Sequence, residues 1–282
     1  MQFIQHLEPF LNVAASSRAV LNSKKVLGNV VERVYLVLGG GNNIANLSTI
    51  RIRLNGKVVF GDISGSQVNL MQRYLLLQNT AGFLTLQFSE PTARSIQGEL
   101  MGALNTNAAG VNDFVIETDL GAGVAPTQDA WVQLRAPTSM LPQAGFDPSL
   151  APILRAVIPT VITETGAGEF QHDVNYGSGG NSLIKRLWIF SSILTSFRIK
   201  ADSLDIFESV TAALNTYIEL DYAKVAQTNL YVYDPLMDGN QSDALPTRRG
   251  DRSPRNFQFL FTASGAGTHT VFADVYSTLD SL

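Results

Sequence analysis

Three histidines, His6, His172 and His269, and no cysteine at all set narrow limits on the chemistry this sequence can carry. Without thiols there is no disulfide framework, no zinc-thiolate or iron-sulfur site and no thiol nucleophile. A Ser/His/acid hydrolase needs an imidazole held by a carboxylate beside a serine, and none of the three histidines lies near a G-x-S-x-G elbow. They read as surface or hydrogen-bonded structural positions. A metal cupin needs clustered imidazoles, commonly two histidines one residue apart, and no H-x-H occurs. The glycine runs Gly39-Gly40-Gly41 and Gly177-Ser178-Gly179-Gly180 lack the Lys-Ser/Thr and the helix start of a phosphate loop, so they read as strand connections. The sequence therefore predicts no enzyme and no catalytic residue.

Three other constellations are candidates for binding. The loop 234–243 carries Asp234, Asp238 and Asp243 around Gly239, and closely spaced oxygens with a glycine turn suit calcium. It fails the EF-hand template, with Leu236 at the third position and Leu245 at the twelfth, which leaves a calcium site of another geometry or a solvated loop. Next is the densest charge cluster in the chain, 248–255, with Arg248, Arg249, Arg252 and Arg255. Guanidinium groups there could pair carboxylates of a neighbouring subunit, stay solvated, or bind phosphate or lipid headgroups. At the amino terminus Phe3 and Ile4 precede Lys24 and Lys25. An apolar start followed by cations could face a membrane, or the same residues could form an arm packed on its own domain or a neighbour.

The elements that must position these groups are mostly strands. Short alternating or β-branched runs separated by Gly, Asn, Asp, Ser and Pro predict strands at 30–38, 49–54, 57–60, 83–88, 114–119 and 131–135. Asn55-Gly56 supplies the two left-handed positions of a type I′ hairpin turn. Residues 64–77 read as a helix started by Ser64 or Ser66, with Val68, Met71 and Leu75 at helical spacing.

The second half repeats this order. Arg51-Ile52-Arg53 is answered by Arg198-Ile199-Lys200, Val59-Phe60 by Ile206-Phe207, and Phe83-Leu84-Thr85-Leu86 by Leu230-Tyr231-Val232-Tyr233, each 147 residues on. Arg33-Val34-Tyr35-Leu36 is matched by Arg186-Leu187-Trp188-Ile189, and a helix is expected at 208–217. Five matches in one order indicate a duplication. The predicted organisation is a first domain at 1–136, a Pro/Gly-bearing linker at 137–150 and a second domain at 151–282. A unit of about 130 residues with seven or eight strands and one inserted helix fits an eight-stranded jelly roll, so the fold class is all-β, two jelly rolls in tandem.

Two tandem jelly rolls with matching helices after the fourth strand resemble the double jelly-roll major capsid proteins of membrane-containing icosahedral bacteriophages, and most closely the corticovirus-type coat protein. The residues that carry the likeness are Phe10-Leu11-Asn12-Val13-Ala14-Ala15 before a first strand, and the run Ile50-Arg51-Ile52-Arg53-Leu54-Asn55-Gly56-Lys57-Val58-Val59-Phe60. The resemblance implies homotrimers whose six rolls make pseudo-hexagonal blocks, neighbouring capsomers and minor capsid proteins as partners, an internal lipid membrane beneath, and a place in the virion. Some members of that family bind calcium.

Composition agrees with an assembly subunit. Of 282 residues, 45% are apolar and only 16% charged, against about 25% charged in an average domain, so neutral surface must be covered by partners. The net charge of −4 gives no reason to expect sequence-specific nucleic-acid binding. No run approaches the roughly 20 apolar residues of a membrane span, and the start lacks the pattern of a secretory signal. The alternative from another class is a carbohydrate- or receptor-binding jelly roll of spike or lectin type. Such a protein is expected to expose Trp and Tyr on loops, whereas Trp131 and Trp188 fall inside predicted strands.

Overall fold

A computed structural model describes residues 2–77, 80–123, 125–136, 153–174, 182–249 and 253–282. The proposed linker 137–150, the second glycine run and Arg252 lie outside the described residues. The first half comprises strands β1 (Gln2–His6), β2 (Arg18–Asn22), β3 (Val30–Gly39), β4 (Leu47–Leu54), β5 (Lys57–Ile63), β6 (Phe83–Gln87), β7 (Leu104–Asn105), β8 (Phe114–Leu120) and β9 (Thr127–Arg135), with helices α1 (Gly65–Tyr74) and α2 (Ile96–Leu100). The second comprises β10 (Ile153–Glu164), β11 (Gly168–Val174), β12 (Leu183–Phe190), β13 (Leu194–Ala201), β14 (Leu204–Thr211), β15 (Leu230–Tyr233), β16 (Leu245–Pro246), β17 (Phe257–Ala263) and β18 (Gly267–Thr278), with helix α3 (Ala212–Asp221).

The duplication holds strand for strand. The first roll packs the sheet β1-β9-β3-β6 against β2-β8-β4-β5, and the second packs β10-β18-β12-β15 against β11-β17-β13-β14. Each strand therefore has its counterpart nine strands later, in the interleaved order of a jelly roll. Even the two-residue strands correspond, β7 pairing with β3 and β16 with β12. A bulge recurs as well, between Val31 and Arg33 on β3 and between Ile184 and Arg186 on β12.

Local sequence explains these elements. On β4 Ile50, Ile52 and Leu54 point into the core while Arg51 and Arg53 alternate outward, and Asn55 and Gly56 both adopt positive φ to turn the chain into β5. Ser64 and Gln67 form a capping box at the start of α1. Gly65 follows because a side chain there would meet the Ile44 carbonyl oxygen at 2.3 Å. Thr211, 147 residues after Ser64, caps α3 by accepting from the Leu214 N–H.

Two expectations need correction. The second helix runs over Ala212–Asp221 and not 208–217, because Val210 still pairs with Phe197 in the sheet and Thr211 supplies the cap. Each large helix follows the fifth strand of its roll and not the fourth, because β1, and β10 that matches it, adds a strand ahead of the helix. Short exposed strands such as β1, buried on neither face, give little alternation to read.

The two rolls are joined edge to edge. Val157 of β10 pairs in parallel with Phe60 of β5, which fuses one sheet of each roll into a continuous nine-stranded sheet. Buried apolar residues of both rolls form one contiguous core. As a result β12, whose counterpart β3 alternates buried and half-buried residues, is buried on both faces from Ile184 to Ile189.

Candidate functional site

The most concentrated chemistry in the chain is a charged seam where the rolls meet. The bulge in β12 places Lys185 and Arg186 side by side, both completely buried. Arg186 donates from Nε to Asp234 at 2.8 Å and from Nη1 to Glu90, which comes from the first roll, at 2.7 Å. Lys185 Nζ lies 2.8 Å from the same Glu90 carboxylate and 3.8 Å from Asp274. Arg155 closes the seam with a two-pronged pair to Asp274, at 2.8 and 2.6 Å, and a third hydrogen bond to the Gln87 carbonyl at 2.7 Å. Three cations thus face three carboxylates, and the buried charge cancels.

Burial pushes the Glu90 carboxyl up, but Arg186 and Lys185 outweigh it and hold the group well below the usual carboxylate range. The Asp274 carboxyl is likewise pushed up by burial and pulled below its ordinary value by Arg155 and Lys185. Burial lowers Lys185, with Asp274 and Glu90 opposing. Groups with depressed carboxyl pKa add stability above the ordinary carboxylate range and lose it as pH falls through their folded values. The seam is therefore an acid-sensitive weld between the rolls.

The corresponding place in the first roll has different chemistry. Register places Gln2, Glu32, Arg33, Gln87 and Gln133 opposite Arg155, Lys185, Arg186, Asp234 and Asp274. There Gln2, Gln133 and Arg135 all donate to the buried Glu32 carboxylate.

A second equivalence lies on the helices. Gln72 of α1 donates to the Thr85 carbonyl, and 147 residues later the buried Glu219 of α3 is hydrogen-bonded to the backbone of Val232 and to the Asn215 amide. Burial pushes the Glu219 carboxyl up to about 7, with those hydrogen bonds opposing. A raised carboxyl favours the folded state at low pH, and the advantage is lost as pH climbs from the ordinary carboxylate range through about 7. Glu219→Gln, which installs the residue of the first roll, is expected to gain on the parent chain as pH rises, by about 1–2 kcal/mol at pH 8 and little at pH 5. Urea denaturation at the two pH values checks this, and an equal effect at both would contradict it.

The residues singled out from sequence fall in separate places. Asp234, Asp238 and Asp243 line one cleft, but the Asp234 carboxylate is committed to Arg186 and to the Leu236 N–H. Asp238 accepts from the Asn240 N–H, and Asp243 from the Asn240 amide. Among the described residues no group of three or more His, Asp or Glu side chains is arranged to hold a metal ion. In the arginine loop, Arg249 pairs with Asp202 at 2.6 Å and Arg255 with the same carboxylate at 3.2 Å, so both fold back onto the turn between β13 and β14. The hydrogen bond from Arg249, ahead of opposing burial, lowers the Asp202 pKa. Arg248 forms a backbone bridge with Pro254 across the loop.

Phe3 and Ile4 lie on β1, Phe3 half-buried against the core and Ile4 exposed. Lys24 is exposed, and Lys25 donates to the His6 carbonyl at 2.8 Å. No described helix is long and apolar enough to cross a membrane.

The histidines also acquire partners that sequence distance concealed. His172 lies 2.7 Å from Glu164, and the buried His269 lies 3.7 Å from the same oxygen and 2.8 Å from Ser191 Oγ. Ser191, His269 and Glu164 are buried while His172 is partly exposed, and Ser191 Oγ accepts from the backbone N–H groups of Ile193 and Leu194. It ties strand ends together. Trp188 is buried against Tyr74, while Trp131, although on a strand, is exposed and meets the His6 ring at a tilt, with centroids 4.7 Å apart.

Two family models cover almost the whole chain: the N-terminal domain of the viral coat protein P2 matches residues 4–138 and its C-terminal domain residues 154–279. No curated protein matches the sequence. Among solved structures, the major capsid protein P2 of bacteriophage PM2 superposes with a TM-score of 0.84 at 17% identity, over 99% of this chain and 98% of that one. A chain from the atomic structure of Sulfolobus turreted icosahedral virus gives 0.67 at 12% identity, over 99% and 91%. The major capsid protein of Faustovirus gives 0.60 at 7%, over 99% and 90%. At these identities the superpositions establish the double jelly-roll fold alone, and it is the two domain matches that establish descent: the chain belongs to the viral coat protein P2 family and is a coat protein of the virion.

Proposed function

We propose that the chain acts without a catalytic step, as a homotrimer whose six rolls form a pseudo-hexagonal building block of an icosahedral shell laid over an internal membrane, in contact with neighbouring capsomers and minor capsid proteins. The observation that carries this reading is the edge-to-edge joint within the chain. One chain already holds two copies of a roll related by the Val157–Phe60 pairing of β10 with β5. A joint that links like units head to tail either runs on as a filament or closes as a ring, and a ring of six rolls contains three chains. The low share of charged residues supports surfaces that are covered in the assembly.

Light scattering on the purified protein is expected to give three times the chain mass of 30.6 kDa, and electron microscopy of native particles is expected to show six-lobed capsomers outside a bilayer. A monomer across salt and pH, with no particles, would remove the proposal.

A further inference from the structure

The internal duplication shows which surfaces of a free chain are half of a joint. Between α1 and the strands β5 and β6 runs a groove lined by Phe60, Met71, Leu75 and Leu86, and Val157 and Arg155 of the second roll plug it, leaving a cavity of about 30 Å³. Counting 147 residues on, the same groove recurs between α3, β14 and β15, lined by Phe207, Ile218, Tyr222 and Tyr233. There no described residue plugs it, and the cleft measures about 360 Å³. Leu75 is 8% exposed and its counterpart Tyr222 is 49% exposed.

The missing plug is present elsewhere in the chain. The counterpart of β10 is β1, and register matches Val157 with Ile4: Val157 pairs with Asp274, which pairs with Arg186 after the β12 bulge, as Ile4 pairs with Gln133, which pairs with Arg33 after the β3 bulge. Val157 is 2% exposed and Ile4 is 62% exposed. The rest of the two faces follows the same rule. Phe272 and Leu230, both buried, correspond to the exposed Trp131 and Phe83. Leu214, Tyr217 and Leu220 on α3 are exposed too. β1 and β14 belong to different rolls and different sheets with no pairing between them, so these are two halves of one joint that a single chain leaves open.

We infer that Ile4 of one copy enters the cleft formed by Phe207, Ile218, Tyr222 and Tyr233 of a neighbouring copy, with β1 lying parallel to β14 as β10 lies parallel to β5. This rests on the trimeric reading above and specifies its contact. The joint is heterologous, so each copy offers Ile4 on one side and the cleft on the other, and the ring closes without leaving either exposed.

The absence of native cysteine makes the test direct. Ile4→Cys and Tyr222→Cys, combined in one chain at exposed positions, are treated with a short bismaleimide. Linked dimers and trimers are expected at ten or more times the yield from either single variant. Trimers by light scattering without the link would overturn the contact and leave the trimer standing, whereas a monomeric chain would remove both. As a second measurement, Ile4→Asp is expected to raise the trimer dissociation constant at least tenfold while the circular dichroism of the chain stays unchanged. An unaltered constant would overturn the inference.

Discussion

Replacing Arg186 with methionine is expected to destabilise the chain by about 3–5 kcal/mol, because removing one partner of a buried ion pair strands the other without water. Arg186 serves two carboxylates from different rolls, Asp234 at 2.8 Å and Glu90 at 2.7 Å. In the variant Glu90 keeps Lys185, but Asp234 is left with the Leu236 N–H and a long 3.5 Å contact to the Tyr74 hydroxyl. Urea denaturation at pH 7.5 measures the effect, and a cost under about 1 kcal/mol would show that the seam is not a weld.

Trp188→Ala is the second large effect, about 3–5 kcal/mol, from lost burial and the cavity left behind. Trp188 is fully buried and meets Tyr74 of α1 edge to face at 5.2 Å, so it bridges the second roll to the helix of the first. Its counterpart Tyr35 stands on a half-buried face, with its hydroxyl 2.7 Å from Gln133. Tyr35→Ala in the dissociated chain is therefore expected to cost about 1 kcal/mol, the scale of one partly exposed hydrogen bond. Thermal unfolding of the two variants side by side reads the difference, and equal losses would refute the claim that only one of the two matched faces is sealed within a chain.

Much of the architecture was readable because it is written twice. The offset of 147 residues survives structurally in the pairs Ser64 and Thr211, Gln72 and Glu219, and Phe83 and Leu230, and the Asn55-Gly56 turn forms where its residue types demand. What escaped has identifiable causes. β1 has no fully buried face, alternating only between exposed and half-buried residues, and β7 and β16 are too short to carry any period. The start of α3 was misplaced because Val210 fits a strand as well as a helix, and only its pairing with Phe197 decides.

The seam was invisible for a different reason. Glu90, Arg155, Lys185, Arg186, Asp234 and Asp274 look like ordinary surface charges, and their partners lie 48 to 119 residues away. Asp234 shares its loop with Asp238 and Asp243 and so resembles a cation ligand; its partner in space is a guanidinium. Distance along the chain likewise hid the shared Glu164 of His172 and His269.

The bulge shared by β3 and β12 bears on how such a chain finds its native state. Two homologous domains on one polypeptide invite strands to swap into each other's places while folding. At the same bulged position one roll buries Glu32 and the other Lys185, each inside a cluster of opposite polarity. A β12 that strayed into the first roll would set an ammonium against Arg135 with no Glu32 to neutralise it, and a β3 in the second would bring a carboxylate to Glu90 and Asp274. Charge reversal at one duplicated kink thus acts as a proofreading key, by which each strand is accepted only in its own roll.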